Sequence, residues 1–277
     1  MSTPEKGSGS SPAGAETRPA PVVFISHGSP MVALDGGVYS QALARFGESF
    51  TPQAIVAISA YWEHTHGVQI TAADRPKLIY DFGGFPPALY DLTYEAAGDP
   101  ALAREVQAAL GENSVAATLD PERGWDHGVW IPLRLMYAQA LAPIVQISLP
   151  LNSSPEQLFR IGEALARFRN KGVLIVASGG LVHNLQRIRA DRKDSPPHAW
   201  AEEFDKWAKE AIERKDFPAL FSYRRFAPHA KLAVPTSEHL APLFVALGAA
   251  RPYSQVVAIF EGFQYASISM RCFALES

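Results

Sequence analysis

The sequence predicts a three-layer α/β sandwich with a central sheet that is mainly parallel or mixed. Short runs rich in β-branched residues alternate along the chain with longer segments of helical periodicity. Several of these runs are apolar throughout rather than alternating, which is typical of strands that helices cover on both faces. With 277 residues, of which 47% are hydrophobic, the chain is long enough to bury a full core.

The first nineteen residues depart from this pattern. Residues 1–19 are rich in Ser, Gly, Pro and Ala, and no apolar segment follows their charges, so we expect a disordered tail rather than a secretory signal. No internal linker interrupts the rest of the chain, which predicts a single domain over residues 20–277. No stretch approaches the roughly 18 apolar residues that a membrane span needs.

The elements predicted within residues 20–277 follow one another as alternating strands and helices. Strands are predicted where β-branched runs occur, and helices where apolar residues recur every three or four positions. The predicted strands are 22–26, 54–59, 68–71, 144–149, 173–177, 256–260 and 266–273. The predicted helices are 101–110, 155–170, 200–215 and 237–247.

Composition limits the class of partner. The net charge of −3 and the lack of clustered Lys and Arg argue against nucleic acid or an anionic membrane, and favour a small molecule. The lone cysteine, Cys272, excludes an intrachain disulfide framework and a cysteine-based zinc site, and it is compatible with a reducing cytoplasm. Nitrogen and oxygen atoms must therefore hold any metal.

Four histidines lie where predicted elements end or begin. His27 follows the first strand, His183 follows a strand and a glycine turn, and His127 lies in a glycine-flanked loop. His239 lies on the first turn of the helix predicted at 237–247. Loops at strand ends are held by a rigid scaffold and open to solvent, so these positions favour a ligand or metal site.

Each residue of this set also has an ordinary structural interpretation. A lone histidine at a strand end is more often a hydrogen-bonded structural group than a ligand. Asp126 suits a turn cap, and Glu238 suits the positive end of a helix dipole. No short metal-binding signature such as His-x3-His is present. The convergence of several histidines, rather than any one of them, therefore favours the metal site.

Five motifs occur in order along the chain after the tail. They are Ile25-Ser26-His27-Gly28-Ser29-Pro30-Met31, Asp81-Phe82-Gly83-Gly84-Phe85-Pro86, Trp125-Asp126-His127-Gly128, Ala177-Ser178-Gly179-Gly180-Leu181-Val182-His183-Asn184 and Pro235-Thr236-Ser237-Glu238-His239. Together they resemble the motifs of the class III extradiol ring-cleavage dioxygenases (LigB-like), in their DOPA-dioxygenase branch, and the resemblance covers nearly everything after the tail. It implies a single α/β domain, a mononuclear non-haem Fe(II), with zinc in some members, and oxygen-dependent opening of a catechol ring beside its two hydroxyls.

The resemblance implies a role for each of the four histidines. His27 and His239 match metal ligands, and His127 matches a histidine that contacts substrate. His183 matches the acid/base residue near the metal, which is sometimes itself a ligand. A histidine suits proton transfer because its pKa lies near the working pH. Aromatic side chains that suit either the core or an apolar wall for the substrate ring are Trp62, Phe82, Phe85 and Trp125.

The chain departs from the family at one metal-ligand position. The family's Ser-Ala-His-Trp, in which the histidine is a ligand, reads Ser59-Ala60-Tyr61-Trp62 here. Three candidates remain for this ligand: Tyr61 as a phenolate, or His64 or His66 from the same loop. Because residue i+3 of a continuing strand points to the opposite face, His64 can replace the ligand only if the strand ends near Trp62.

Two other functions stay open at this point. A zinc-dependent hydrolase would use the same histidines, with Glu238 to activate water. A non-catalytic relative would keep the fold and act as a binding or metal-handling protein, and Tyr61 favours that alternative. The leading hypothesis remains a cytoplasmic ring-opening dioxygenase whose partners are a small catechol and O2, without nucleic acid or membrane.

Overall fold

A computed structural model describes residues 18–250 and 254–277. Residues 1–17, most of the tail predicted over residues 1–19, lie outside the described residues. At the end of that segment, Arg18 donates a hydrogen bond from Nε to the backbone oxygen of Ser277 at 2.7 Å. The strands are β1 (Val22–Ser26), β2 (Ala54–His64), β3 (Val68–Thr71), β4 (Ala117–Asp120), β5 (Ile144–Pro150), β6 (Val173–Gly179), β7 (Gln255–Phe260), β8 (Phe263–Gln264), β9 (Ile268–Ser269) and β10 (Cys272–Glu276).

The helices of the described residues are mostly short, and none is long and apolar enough to cross a membrane. Two 3-10 helices, Ala166–Lys171 and Leu185–Arg187, accompany the α-helices. The α-helices are α1 (Val32–Asp35), α2 (Val38–Ser49), α3 (Pro87–Tyr90), α4 (Pro100–Glu112), α5 (His127–Met136), α6 (Pro155–Leu165), α7 (Ala199–Glu213), α8 (Phe217–Phe221), α9 (Tyr223–Phe226), α10 (Ala230–Ala233) and α11 (Ala241–Ala249).

The central sheet is mixed. Its eight strands run in the order β4-β3-β5-β2-β6-β1-β10-β7 within the described residues. The four middle strands, β5, β2, β6 and β1, are parallel to one another. β3 is antiparallel to β5. At the other side of the sheet, β10 is antiparallel to β1, and β7 is antiparallel to β10. The sheet is therefore parallel where the histidine-bearing loops leave it.

Helices cover both faces of the sheet, which confirms the predicted α/β fold. Val22 and Phe24 of β1 belong to one core cluster, with side chains of α4, α6, α7 and α11. Val23 and Ile25 belong to a second cluster, with side chains of α1, α2 and α5. Burial of alternate residues on two covered faces explains why the strand reads as a continuous apolar run.

The prediction of one continuous strand at residues 266–273 is wrong. The chain forms two separate strands there, β9 and β10. Tyr265 and Ala266 have φ angles of 52° and 65°, in the left-handed region that an extended strand excludes. These two residues form a turn before β9, and the last long strand begins only at Cys272.

The helix predicted at residues 237–247 begins four residues later, so His239 does not lie on its first turn. The backbone oxygen of Ser237 accepts hydrogen bonds from the N–H groups of Leu240 and Ala241. These bonds form a turn that leads into α11, and His239 lies within that turn. In contrast, His127 was predicted in a loop and is the first residue of α5.

Candidate metal and catalytic site

Five side chains meet at the carboxyl edge of the parallel strands. His27 directly follows β1, Tyr61 lies near the end of β2, and His183 follows β6. Because β1, β6 and β2 are parallel neighbours, their carboxyl ends open at the same edge. His127 at the start of α5 and His239 before α11 complete the group from the two helical layers.

The rings of these five residues are in mutual contact. The His27 ring centroid lies 5.0 Å from that of Tyr61 and 5.3 Å from that of His239. The Tyr61 centroid lies 4.2 Å from that of His127. His183 stacks on His239 with centroids 3.5 Å apart and planes inclined by 7°. The structure therefore brings together the four histidines that the sequence singled out.

A serine fixes the proton position on His27. The Ser178 hydroxyl donates to the backbone oxygen of Gly128 at 2.5 Å, so it accepts the bond from His27 Nδ1 at 2.9 Å. The proton then resides on Nδ1, and Nε2 carries a lone pair. This Nε2 is buried and has no hydrogen-bond partner among the described residues. An oriented imidazole with a free nitrogen is what a metal ligand requires.

His239 is oriented in a similar way by the residue before it. Its Nδ1 donates to Glu238 Oε1 at 3.1 Å, and the Thr236 hydroxyl donates to the same oxygen at 2.7 Å. The hydrogen bond from His239 lowers the pKa of Glu238 to about 2, so the carboxylate is charged at neutral pH. The Nε2 of His239 then accepts a hydrogen bond from the Tyr61 hydroxyl at 3.4 Å.

His127 is held by a carboxylate that the sequence did not assign to it. Both Nδ1 and the backbone N–H of His127 donate to Asp81 Oδ1, at 2.8 Å and 3.0 Å. Although burial raises the pKa of Asp81, these hydrogen bonds hold it below its usual value. His127 Nε2 is buried and unpaired within the part of the chain that the structure describes. Only the position of Asp81 in a family motif could have indicated this role.

Tyr61 is a neutral phenol in this environment. Burial raises its pKa well above the usual value, and the charges of Asp81, Asp126 and Glu238 raise it further. Tyr61 lies where β2 shifts register against β5, between Ile58 and Glu63. Such bulges occur next to active sites, where they direct a side chain away from the regular strand pattern.

His183 and His27 are both uncharged at neutral pH. Burial and the neighbouring His239 lower the pKa of His183 to about 3. Burial, followed by the charge of His239, lowers the pKa of His27 well below the usual value. Neutral imidazoles can accept a proton or a metal, and the lowered pKa makes His183 a weaker base than a free imidazole.

The structure does not bring His64 or His66 to the site. β2 continues through His64, so the condition that the sequence set for His64 as a ligand is not met. The ring of His64 contacts that of His66 at 6.1 Å and no ring of the five-residue group within the described chain. Of these three candidates, Tyr61 is thus the one whose ring lies against those of the histidines.

The four aromatic residues predicted to line the pocket fall into two pairs. The Phe82 ring lies 5.3 Å from that of His127, and the Phe85 ring lies 5.7 Å from that of Phe82. Trp125 is fully buried in the core, and Trp62 is buried beneath the Arg123 guanidinium, 4.9 Å from its ring. Phe82 and Phe85 therefore lie beside the site, whereas Trp125 is a core residue.

The donor set fits a metal bound by two imidazoles. The nitrogens that could bind it are Nε2 of His27, which has no partner among the described residues, and Nε2 of His239, which is bonded to the Tyr61 hydroxyl. Across residues 18–250 and 254–277, no three His, Cys, Asp or Glu side chains are grouped to hold a metal ion.

Comparison with known proteins identifies the family. Residues 21–269 match the family model of the catalytic LigB subunit of aromatic ring-opening dioxygenase. A 4,5-DOPA dioxygenase extradiol of Escherichia coli K12 is 38% identical over 254 residues, 90% of this chain and 92% of that protein. The Beta vulgaris protein of the same name is 37% identical over 89% of this chain and 92% of its own length.

A solved structure agrees with this assignment. The crystal structure of an uncharacterized Escherichia coli K12 protein superposes with a TM-score of 0.79 and 32% identity, and covers 92% of this chain and 99% of that one. Members of the matched family depend on a non-haem metal. The protein is thus an enzyme of the LigB family of aromatic ring-opening dioxygenases.

Proposed function

We propose that this enzyme opens a catechol ring beside its two hydroxyls, with O2, at a metal bound by His27 and His239. The observation that carries the proposal is that Nε2 of both histidines carries a lone pair at one edge of the sheet: Nε2 of His27 has no partner among the described residues, and Nε2 of His239 is bonded only to the Tyr61 hydroxyl within them. The similar proteins named 4,5-DOPA dioxygenase extradiol support the same chemistry. Fe(II) is the proposed metal, with Zn(II) second; ferrous iron supplies open positions for a catechol and O2 together.

The remaining side chains of the site have roles in proton transfer and in substrate binding. His183 is neutral and buried, so it can accept a proton from a catechol hydroxyl and return it later. His127 presents its unpaired Nε2 to a substrate hydroxyl, because Asp81 keeps the proton on Nδ1. Phe82 and Phe85 supply an apolar wall for the ring.

The two alternatives from the sequence are not favoured. Family membership points to ring opening rather than to zinc-dependent hydrolysis. The non-catalytic alternative rested on Tyr61 alone, and His27, His127 and His239 are each oriented by a hydrogen bond, as a functional site requires. We also propose a reducing cytoplasm as the setting, since the single cysteine, Cys272, is free and buried.

Reconstitution tests this function. The protein is loaded with Fe(II) without oxygen and then mixed with air and a panel of catechols, while absorbance and O2 consumption are recorded. We expect a yellow ring-opened product with matching oxygen uptake, and neither signal from His27→Ala or from protein loaded with Zn(II). Bound Fe(II) without oxygen uptake on any catechol would overturn the proposal.

A further inference from the structure

The hydroxyl of Tyr61 has one hydrogen-bond partner among the described residues, and that partner is Nε2 of His239, at 3.4 Å. The hydroxyl must be the donor in this bond. Glu238 accepts the Nδ1–H of His239 at 3.1 Å, so Nε2 carries a lone pair and no proton. A phenol keeps its proton at neutral pH, since its usual pKa is about 10. The bond therefore uses the same lone pair that a metal would need.

Neighbouring groups hold the Tyr61 ring in this position. Its centroid lies 4.2 Å from that of His127, and its plane is inclined by 90° to the His239 ring, with centroids 5.3 Å apart. The backbone of Gly128 is close as well, because a Cβ added there would lie 2.9 Å from Cδ2 of Tyr61. The N–H of Tyr61 donates to the Ser59 hydroxyl at 3.1 Å and fixes the backbone. These contacts keep the hydroxyl beside His239.

A metal bound by His27 and His239 would take this partner away from Tyr61. The lone pair on Nε2 of His239 cannot accept a hydrogen bond and bind a metal at the same time. The metal would also need Nε2 of His27, which is buried and has no partner among the described residues. A partly buried hydroxyl that loses its hydrogen bond costs free energy. Metal binding must therefore overcome the loss of the Tyr61 bond.

We propose that Tyr61 caps the metal site: its hydroxyl occupies His239 in the metal-free protein, and a metal must displace it in order to bind. Tyr61 is then a competitor of the metal rather than its third ligand. The metal-free protein with the bond between Tyr61 and His239 is the closed state of the site. This inference rests on the metal site of the proposed function, but it concerns metal binding and not turnover.

Tyr61→Phe tests the cap, because it removes the hydroxyl and keeps the ring. The metal-free protein is titrated with Fe(II) in the absence of oxygen against a coloured chelator, and separately with Zn(II) in a calorimeter. We expect Tyr61→Phe to bind both ions about three- to tenfold more tightly than the wild type, the scale of one ordinary hydrogen bond. Loss of a ligand atom would have the opposite effect.

Tyr137→Phe is the matched control. The Tyr137 hydroxyl donates to the backbone oxygen of Phe50 at 3.1 Å, and within the described chain its ring contacts none of the five rings of the site. The control loses a hydrogen bond of the same kind, so its metal affinity should equal that of the wild type. Weaker binding by Tyr61→Phe would make the phenol a ligand, and unchanged binding would mean that the metal displaces nothing. Either result overturns the proposal.

Urea unfolding distinguishes the cap from a purely structural hydrogen bond. With a chelator present, Tyr61→Phe should unfold at a lower urea concentration than the wild type, because it lacks the bond to His239. In Zn(II) well above both dissociation constants, this difference should shrink or reverse, since tighter binding stabilises the folded variant more. Tyr137→Phe should lose the same stability under both conditions. An equal loss for Tyr61→Phe with and without Zn(II) would overturn the cap.

The outcomes also separate the cap from the ring-opening function. Higher metal affinity in Tyr61→Phe, without oxygen uptake by the Fe(II)-loaded wild type on any catechol, would support the cap and overturn the function. Oxygen uptake with equal metal affinities of the two proteins would support the function and overturn the cap. If neither protein binds Fe(II) or Zn(II), both proposals fail.

Discussion

The Ser178 hydroxyl decides which nitrogen of His27 faces the site. Its own proton goes to Gly128, which leaves its oxygen to accept the Nδ1–H of His27. A serine at the end of a buried strand is unremarkable in sequence, because strand ends often carry small polar residues. Its importance appears only when β6 and α5 are brought together. The orientation of the proposed metal ligand His27 thus depends on a residue outside the proposed ligand set.

Tyr61 is the position at which a single substitution should change metal binding most. A neutral phenol is a poor ligand for Fe(II), and burial keeps this phenol neutral. Tyr61→His should therefore raise Fe(II) affinity on the order of tenfold or more, or about 1.4 kcal/mol. Anaerobic competition with a coloured chelator measures this change.

His64→Ala is the control for that prediction. Because β2 continues through His64, its removal should leave Fe(II) affinity unchanged. A large loss of affinity in His64→Ala, with no gain in Tyr61→His, would show that His64 is the third ligand.

His183 should act in proton transfer rather than in holding the metal. Replacing it with Ala should reduce turnover about 10²-fold or more, the usual scale of general acid–base catalysis. Metal content, measured by mass spectrometry after gel filtration, should stay near that of the wild type. His66→Ala is the control, since it removes an exposed histidine two residues after the end of β2. It should alter neither turnover nor metal content. If His183→Ala empties the site, His183 is a ligand.

The end of β6 and the turn before α11 fit closely together. The backbone oxygen of His239 accepts a hydrogen bond from the N–H of Gly180 at 2.8 Å. A Cβ atom added to Gly179 would lie 2.2 Å from that oxygen, which is closer than any real contact. The turn that carries His239 can therefore approach the strand only because residue 179 has no side chain.

This close approach predicts different effects for two adjacent glycines. Gly179→Ala must displace the His239 turn, so it should lower the free energy of unfolding by about 1–3 kcal/mol and weaken metal binding. Gly180→Ala is the matched control, because its Cβ would come no closer than 3.8 Å to His183 and Val182, its nearest neighbours among the described residues. Urea unfolding and the chelator competition test both variants. Equal effects of the two substitutions would contradict the proposed fit.

The sequence predicts the layers of this fold better than the connections between them. Apolar runs such as Val173–Gly179 indicate a sheet covered on both faces, and the structure confirms this. The sheet order is not predictable in the same way, because the antiparallel additions of β3 and β10 depend on contacts between distant segments. The boundary at Ala241 was missed since Pro235 and Thr236 are typical of a helix start, whereas here they precede a separate turn.

Prediction of the candidate site from sequence has the same limit, because contacts between distant segments decide it. Four histidines could be selected from their positions at the ends of elements, and the resemblance of their motifs implied a role for each. The contact between Asp81 and His127 spans 46 residues, and no local spacing indicates it. Sequence patterns report the face or end on which a residue lies. The partner that orients the residue depends on the packing of the whole chain.

The stability of the metal-free protein should fall as the pH drops below neutrality. His183 has a pKa of about 3 in the folded state, against 6.5 for an exposed histidine in the unfolded chain, and the pKa of His27 is also well below 6.5 in the folded state. Below pH 6.5 the unfolded chain therefore binds protons that the folded chain does not. Each such histidine reduces the free energy of unfolding by up to about 1.4 kcal/mol per pH unit.

His183→Gln isolates the contribution of one histidine, because glutamine does not titrate. The raised pKa values of Asp126 and Glu63 oppose the loss of stability at lower pH. Both residues are present in the wild type and in His183→Gln, so their effect cancels in the comparison. Urea unfolding with a chelator present, at pH 7, 6 and 5, should give a shallower loss of stability for His183→Gln than for the wild type. Below about pH 4.5 the lowered pKa values of Asp81 and Glu238 add a further loss in both. Parallel curves between pH 7 and 5 would mean that His183 takes up a proton in the folded state, and its assignment as a neutral base would then be wrong.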